Sequence, residues 1–443
     1  MAPPPQRIVI LGAAGRDFHD FNVVYRDDPG AVVVAFTATQ IPGIAHRRYP
    51  AALAGPRYPD GIPIEEEAAL EAICRRERVT LVAFAYSDVT HGHVMRLACR
   101  ALAAGADFAL PGPERTMLQA PVPVVAVSAV RTGCGKSPIA RWIARRLREA
   151  GRRVAVIRHP MPYGDLARQR VQRFATTADL DAADCTIEER EEYEPHLAAG
   201  HVVFAGVDYA AIVERAAAER DVIVWDGGNN DFPFVRPDLH VVVADALRPD
   251  DARGYYPGEA VLRTADVVVV NKVDAPGADA ERASATVRSV NARAPIVRGA
   301  LRVRLDDPEA VRGRRVLVVE DGPTLTHGSM AYGAGLVAAK AAGAASVVDP
   351  RPVAVAAVQC VYEQYPHIGA VLPAVGYSAA QVDALSATIE RAGADVVVAA
   401  TPVDLARLLG VKTPIVRARY DFEEAGEPGL AAFVDGWLGR LTT

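Results

Sequence analysis

The chain has 443 residues, half of them apolar and 23% charged, with a formal net charge of −5. Such a composition builds folded cores and excludes wholesale disorder; the length exceeds what one core organises, and the charge excludes nucleic-acid binding through a bulk basic field. Five cysteines without CxxC spacing read as reduced thiols, and no apolar run approaches the ~18 residues of a membrane span. The expectation is a cytoplasmic enzyme with neither a membrane nor a nucleic acid as partner.

Apolar strand, glycine turn and amphipathic helix alternate along the chain, the pattern of parallel sheets covered by helices. Strands are predicted over residues 7–11, 31–37, 80–85 and 108–110, with helices over 65–76 and 94–104. The first strand runs into Gly12-Ala13-Ala14-Gly15-Arg16-Asp17, which does not satisfy GxGxxG. It reads either as a tight turn or, with Arg16 and His19 nearby, as a site for an anionic ligand. Pro111-Gly112-Pro113 and Pro121-Val122-Pro123 then punctuate the chain and place a boundary near residue 120.

A strand over 122–127 leads into Arg131-Thr132-Gly133-Cys134-Gly135-Lys136-Ser137, followed by a helix over 138–150. A phosphate-binding loop needs inward main-chain N–H groups, glycines where backbone meets oxygen, a lysine for the β/γ-phosphates and a hydroxyl for Mg²⁺. Val130 stands where GxxxxGK[ST] has its first glycine, but 131–137 fits the variant KGGxGK[ST] with arginine leading. Gly133, Cys134 and Gly135 would supply the backbone, Lys136 and Ser137 the ligands, and Arg131 a second cation near the γ-phosphate, in cis or across a homodimer interface. The apolar strand 222–225 ends in Asp226, placed to hold Mg²⁺ or its water. The run 267–274 ends in Asn271-Lys272-Val273-Asp274, an NKxD pattern that pairs with a guanine base.

Arg158 and His159 close the next strand, 153–158, at the edge where open α/β sheets bind ligands; they are candidates for the substrate, with Asp165 a further metal contact. The charges of 188–194 suggest an exposed helix or loop. Further strands are predicted over 201–204, 239–243, 316–319, 353–358, 371–375, 396–399 and 415–416, and a small-residue helix over 332–342. Thr324-Leu325-Thr326-His327-Gly328 precedes that helix and would place His327 at an anion site on its N-terminus. The fold class is α/β: an N-terminal Rossmann-like domain (1–120), a parallel-sheet P-loop NTPase core (121–310) and a C-terminal α/β region (311–443).

VSAVRTGCGKSP, VIVWDGGNNDFPF, VVVVNKVD and EDGPTLTHGSMAYGAG, with GAAGRDFHDFN and RYPDGIPI near the N-terminus, together resemble the cyclic 2,3-diphosphoglycerate synthetase family. Its P-loop domain looks like the dethiobiotin synthetase and metallochaperone GTPase class. The resemblance implies Mg²⁺ and ATP, and closure of a phosphoanhydride in 2,3-diphosphoglycerate or 2-phosphoglycerate kinase activity. NKxD points instead to GTP, but in this structural class an asparagine there also hydrogen-bonds the exocyclic amine of adenine, and ATP is the expectation; a regulatory or metallochaperone GTPase is the rival reading. An anionic small molecule is the expected substrate.

Overall fold

The computed structural model describes residues 4–39, 44–159, 164–326, 330–374 and 379–441. Among the described residues, two large sheets carry the fold, beside a separate two-stranded pair. The first has six described strands in the order Arg48–Tyr49, Ile62–Glu66, Ala31–Ala38, Gln6–Leu11, Leu81–Phe84 and Asp107–Ala109. All of its pairings are parallel except that of Arg48–Tyr49 with Ile62–Glu66.

The second sheet, of thirteen described strands, begins at Val124–Ala129 and runs through to Ile415–Glu424. Its middle reads Val202–Gly206, Val154–Arg158, Val222–Asp226, Val124–Ala129, Leu239–Asp245 and Val267–Asn271, all parallel. The centre strands Val124–Ala129 and Val222–Asp226 are buried from end to end. Helices cover both faces, which is why these strands read as unbroken apolar runs. From Val124–Ala129 the chain crosses first to one side of the sheet and later to the other, so a ligand crevice opens at that strand's carboxyl edge.

Beyond Val267–Asn271 the sheet continues through Ile296–Leu305, which pairs antiparallel with Ile415–Glu424. That pair joins the strands Val396–Ala400 and Arg315–Asp321 of the C-terminal third to the same sheet. Phe422, Leu430, Val434 and Trp437 share one core with Ile139, Ile143 and Leu147 of the helix that follows the glycine loop.

The structure corrects three predicted elements. Residues 62–66 form a strand whose buried Ile62 and Ile64 alternate with more exposed neighbours, and the helix begins only at Leu70–Glu77. Residues 353–358 are no strand; Ala356–Gln364 is a helix, in keeping with its alanine content and the ambiguity of short apolar runs. The charged stretch lies in the helix Ile187–Ala198, with Glu188, Glu189, Arg190, Glu191 and His196 all buried. Among the described residues no helix is long and apolar enough to cross a membrane.

The two sheets are joined by buried charge. Arg131, 4% exposed, donates from Nε to Asp88 at 2.7 Å and from Nη1 to Asp251 at 2.9 Å, with its guanidinium 3.4 Å from the Tyr255 ring centroid. Asp88 precedes the short strand Val89–Thr90, which pairs with Tyr255–Tyr256. Asp88→Ala leaves half of this buried pairing uncompensated and should lower unfolding free energy by about 3 kcal/mol. Urea titration measures it, and a loss below about 0.5 kcal/mol would mean that the pair behaves as a surface bridge.

Candidate functional site

The loop between Val124–Ala129 and the helix Lys136–Glu149 is held by its carbonyls. Asn230 Nδ2 donates to Val130 O at 3.0 Å, Arg248 Nη2 to Thr132 O at 2.7 Å, Lys272 Nζ to Gly133 O at 2.6 Å and Asn271 Nδ2 to Cys134 O at 2.9 Å. In a trans peptide the C=O and the following N–H point in opposite directions, so fixing the carbonyls outward turns the amides inward. Gly133 and Gly135 have φ of +82° and +92°, and a Cβ on Gly135 would collide with Asn271 Nδ2. Both positions therefore require glycine.

Lys136 and Ser137 open the helix beneath. Asp226, with no solvent exposure, accepts from Lys136 Nζ at 2.8 Å and Ser137 Oγ at 3.3 Å on one oxygen. Its other oxygen meets Arg158 Nη1 at 2.6 Å and His196 Nε2 at 3.0 Å. Burial opposes ionisation of Asp226, but the charges of Arg158 and Lys136 overcome it and hold the carboxyl well below its usual range. Burial pulls the Lys136 ammonium down in turn, against the pull of Asp226. Arg158 also pairs with Glu192.

A cleft of about 470 Å³ opens over this loop, in the range of small-molecule sites. Its lining includes Lys272, Ala275, Pro276, Leu301 and Val303. Arg141, Glu191, Glu192, Glu320, Asp321 and Tyr420 line it too, Tyr420 sitting opposite Val303 in the antiparallel pair. Burial, then the charges of Asp321 and Glu188, raises Glu191 well above the carboxylate range; burial also raises Asp321, against hydrogen bonds from Thr324. Glu320 accepts from the main-chain N–H groups of Gly335 at 3.1 Å and Leu336 at 2.8 Å, and burial lifts it to about 7 despite those bonds.

The predicted site residues are dispersed more widely than their motifs suggest. Arg131, Gly133, Gly135, Lys136, Ser137, Arg158, Lys272 and Asp274 line the cleft. Arg131 does so with its charge committed to Asp88 and Asp251, which makes it a brace for the loop. The Cys134 side chain is buried in the core, its thiol pushed up to about 12 by burial. Asn271, fully buried, spends its amide on the loop instead of a base, and Asp274 pairs with Arg302 at 2.7 Å.

The remaining candidates lie away from the cleft lining. Asp165 is exposed and caps a turn through the N–H groups of Ala167 and Arg168. The His159 ring lies 5.4 Å from Phe234, and burial pushes it down to about 3. His19 stacks on Phe234 at 4.1 Å and bonds to Thr116 O. Arg16 is buried against Asp231 at 3.1 Å and Pro111 O. In the neighbouring glycine turn, Asp17 accepts from the amides of Ala14, Gly15 and Phe18, so the chain's own carboxylate fills that nest. Glu320 fills the N-terminus of Ala334–Ala341 in the same way. His327 lies outside the described residues.

Hard oxygen donors suit Mg²⁺, and the Ser137 hydroxyl beside the Asp226 carboxylate fits such an ion, whereas exposed, turn-capping Asp165 does not. Motif reading missed Arg141, four residues after Ser137 on the loop's own helix, and Glu191, Glu192 and His196, whose charge-dense helix pointed to solvent.

No family model matches the chain. Against arginine synthetase ArcE of Thermococcus kodakarensis it is 55% identical over 433 residues, covering 98% of this chain and 97% of that one. The chain belongs to the arginine synthetase ArcE family. Tetraacyldisaccharide 4'-kinase of Halorhodospira halophila is 35% identical over 170 residues, 36% of this chain and 49% of its own. The ATP-complexed LpxK structure from Aquifex aeolicus aligns over 74% of this chain and 90% of its own at 13% identity and a TM-score of 0.44. The hydrogenase maturation factor HypB of Archaeoglobus fulgidus aligns over 40% and 81% at 21% identity and a TM-score of 0.28.

Glu320 generates a pH prediction. Its folded pKa of about 7 exceeds its ordinary 4.5, so its contribution to stability is complete below pH 4.5 and is lost as pH rises to 7. Glu320→Gln should flatten the fall in unfolding free energy across that window by about 3 kcal/mol. Denaturant titrations at several pH values measure it, and parallel curves for the two proteins would refute the assignment.

Proposed function

We propose that the protein is an ATP-dependent ligase that makes arginine by phosphorylating a ureido oxygen and replacing it with nitrogen. The full-length kinship with arginine synthetase ArcE carries the reading, and the phosphate loop supplies its chemistry. A P-loop transfers a phosphoryl group to a nucleophile, and the guanidinium carbon of arginine carries only nitrogen. The precursor therefore needs oxygen at that carbon, as in the ureido amino acid L-citrulline.

In the first step the ureido oxygen attacks the γ-phosphorus, the bond to the β,γ-bridging oxygen breaks, and ADP leaves with that electron pair. Ammonia, formed from ammonium by loss of a proton, then attacks the ureido carbon. The C–O bond breaks, inorganic phosphate departs, and arginine remains. Lys136 and the inward loop amides neutralise charge on the transferring group. Mg²⁺ on Ser137 and Asp226 would supply further charge neutralisation.

The motif resemblance to cyclic 2,3-diphosphoglycerate synthetase supports a second reading, in which the same loop phosphorylates a phosphoglycerate. Glu191 and Asp321 favour the first, because neither has an ion-pair partner among the described residues and a polyanion would meet both carboxyl groups in the cleft.

Purified protein with Mg²⁺, ATP, ammonium and L-citrulline should yield arginine, ADP and phosphate in equal amounts by amino-acid analysis and ³¹P NMR. Lys136→Ala should lower kcat by about 100- to 1,000-fold. A phosphoanhydride signal from 2,3-diphosphoglycerate, with no arginine from L-citrulline, would replace the first reading by the second. Substrate-independent GTP hydrolysis would replace both by a GTPase.

A further inference from the structure

The cleft wall carries a cation that the phosphate loop does not use. Arg141 lies on the helix Lys136–Glu149 four residues after Ser137, hence on the same face. It is 9% exposed and lines the cleft. Its one hydrogen bond among the described residues goes to Tyr420 O at 3.4 Å, and it forms no ion pair among them. With a single long hydrogen bond inside the chain, its guanidinium has donors left to offer a ligand in the cleft.

Opposite in sign and on the same wall are Glu191 and Asp321. Glu191, 4% exposed, accepts from Thr401 Oγ1 at 2.6 Å through one oxygen, while its other oxygen receives no hydrogen bond. The Asp321 carboxyl faces it and is held by the Thr324 hydroxyl and main-chain N–H. Arg141 bonds to the carbonyl of Tyr420, and Arg141, Tyr420, Glu191 and Asp321 all line the same cleft. Glu192 is neutralised by Arg158, and Glu188 flanks Glu191 on its own helix.

A polyanion satisfies Arg141 but is repelled by the carboxyl pair; a simple cation does the reverse. A ligand with both signs a few bonds apart satisfies both. We infer that Arg141, Glu191 and Asp321 bind the zwitterionic end of an α-amino acid, the guanidinium taking its α-carboxylate and the carboxyl pair its α-ammonium. Four residues of helix separate Arg141 from Ser137, about 6 Å along the axis. A three-methylene side chain has that reach, so the ureido group arrives at the phosphate loop while the amino-acid head stays on the wall.

The inference rests on the arginine-forming reading, and steady-state kinetics on the full-length protein tests it with three acceptors: L-citrulline, 5-ureidopentanoate without the α-amino group, and 4-ureidobutylamine without the carboxylate. Arg141→Gln should raise KM for L-citrulline by about 10- to 100-fold and leave KM for ATP nearly unchanged. It should add little further loss with 4-ureidobutylamine. Glu191→Gln should show the same non-additivity with 5-ureidopentanoate, and Arg141→Lys should recover part of the loss. A rise in KM for ATP in place of L-citrulline would assign Arg141 to the triphosphate and overturn the inference, as would wild-type protein that uses all three acceptors equally well. Wild-type protein that makes no arginine defeats the proposed function alone. Calorimetric titration with L-arginine and L-citrulline then decides the site: binding weakened by Arg141→Gln sustains it, and absence of binding overturns it.

Discussion

Asp226 has no contact with solvent, and a carboxylate in that position persists only if donors surround it. The donors come from separate stretches of chain: Lys136 and Ser137 from the helix after the glycine loop, Arg158 from the neighbouring strand, and His196 from the charged helix. Satisfying one buried charge thus fixes the phosphate loop, the sheet edge and the cleft wall relative to one another. Arg158 extends the arrangement by pairing with Glu192, so the wall that carries Glu191 is registered to the same point.

A second economy runs through the molecule. Places that physical reasoning marks as anion sites are filled by the protein's own carboxylates: Asp17 in the glycine turn of the first sheet, and Glu320 at the N-terminus of Ala334–Ala341. The phosphate loop differs, because side chains from later strands take its carbonyls and leave its amides turned the other way. Of three sites with similar sequence credentials, one faces a cleft as an anion site.

The central strands and the phosphate loop were legible because each rests on local chemistry. Apolar runs such as 222–225 and 267–270 admit few alternatives in a chain of this composition, and Gly133-Cys134-Gly135-Lys136-Ser137 encodes its own turn. The roles of Arg131, Asn271 and His19 were not legible, since each is decided by partners 43 or more positions away, such as Asp88 for Arg131, Cys134 for Asn271 and Thr116 for His19. The helix Ile187–Ala198 misled for the same reason: six charged residues in twelve suggest solvent until Thr401, Arg158 and Asp226 are brought to its side chains. The strands Ile296–Leu305 and Ile415–Glu424 owe their length to each other, and neither announces an antiparallel partner more than a hundred residues distant.

That antiparallel pair sets an order of assembly. Tyr420, on the strand that accepts from Arg141, and the core residues Leu430, Val434 and Trp437 follow the phosphate loop by more than 280 residues. During synthesis the phosphate loop leaves the ribosome long before them, with the edge of Ile296–Leu305 bare and one face of the loop's helix uncovered. An unpaired edge of that kind invites strands from other chains. A growing polypeptide therefore spends the time needed to make about a hundred and twenty residues with that edge waiting for the strand that completes the cleft.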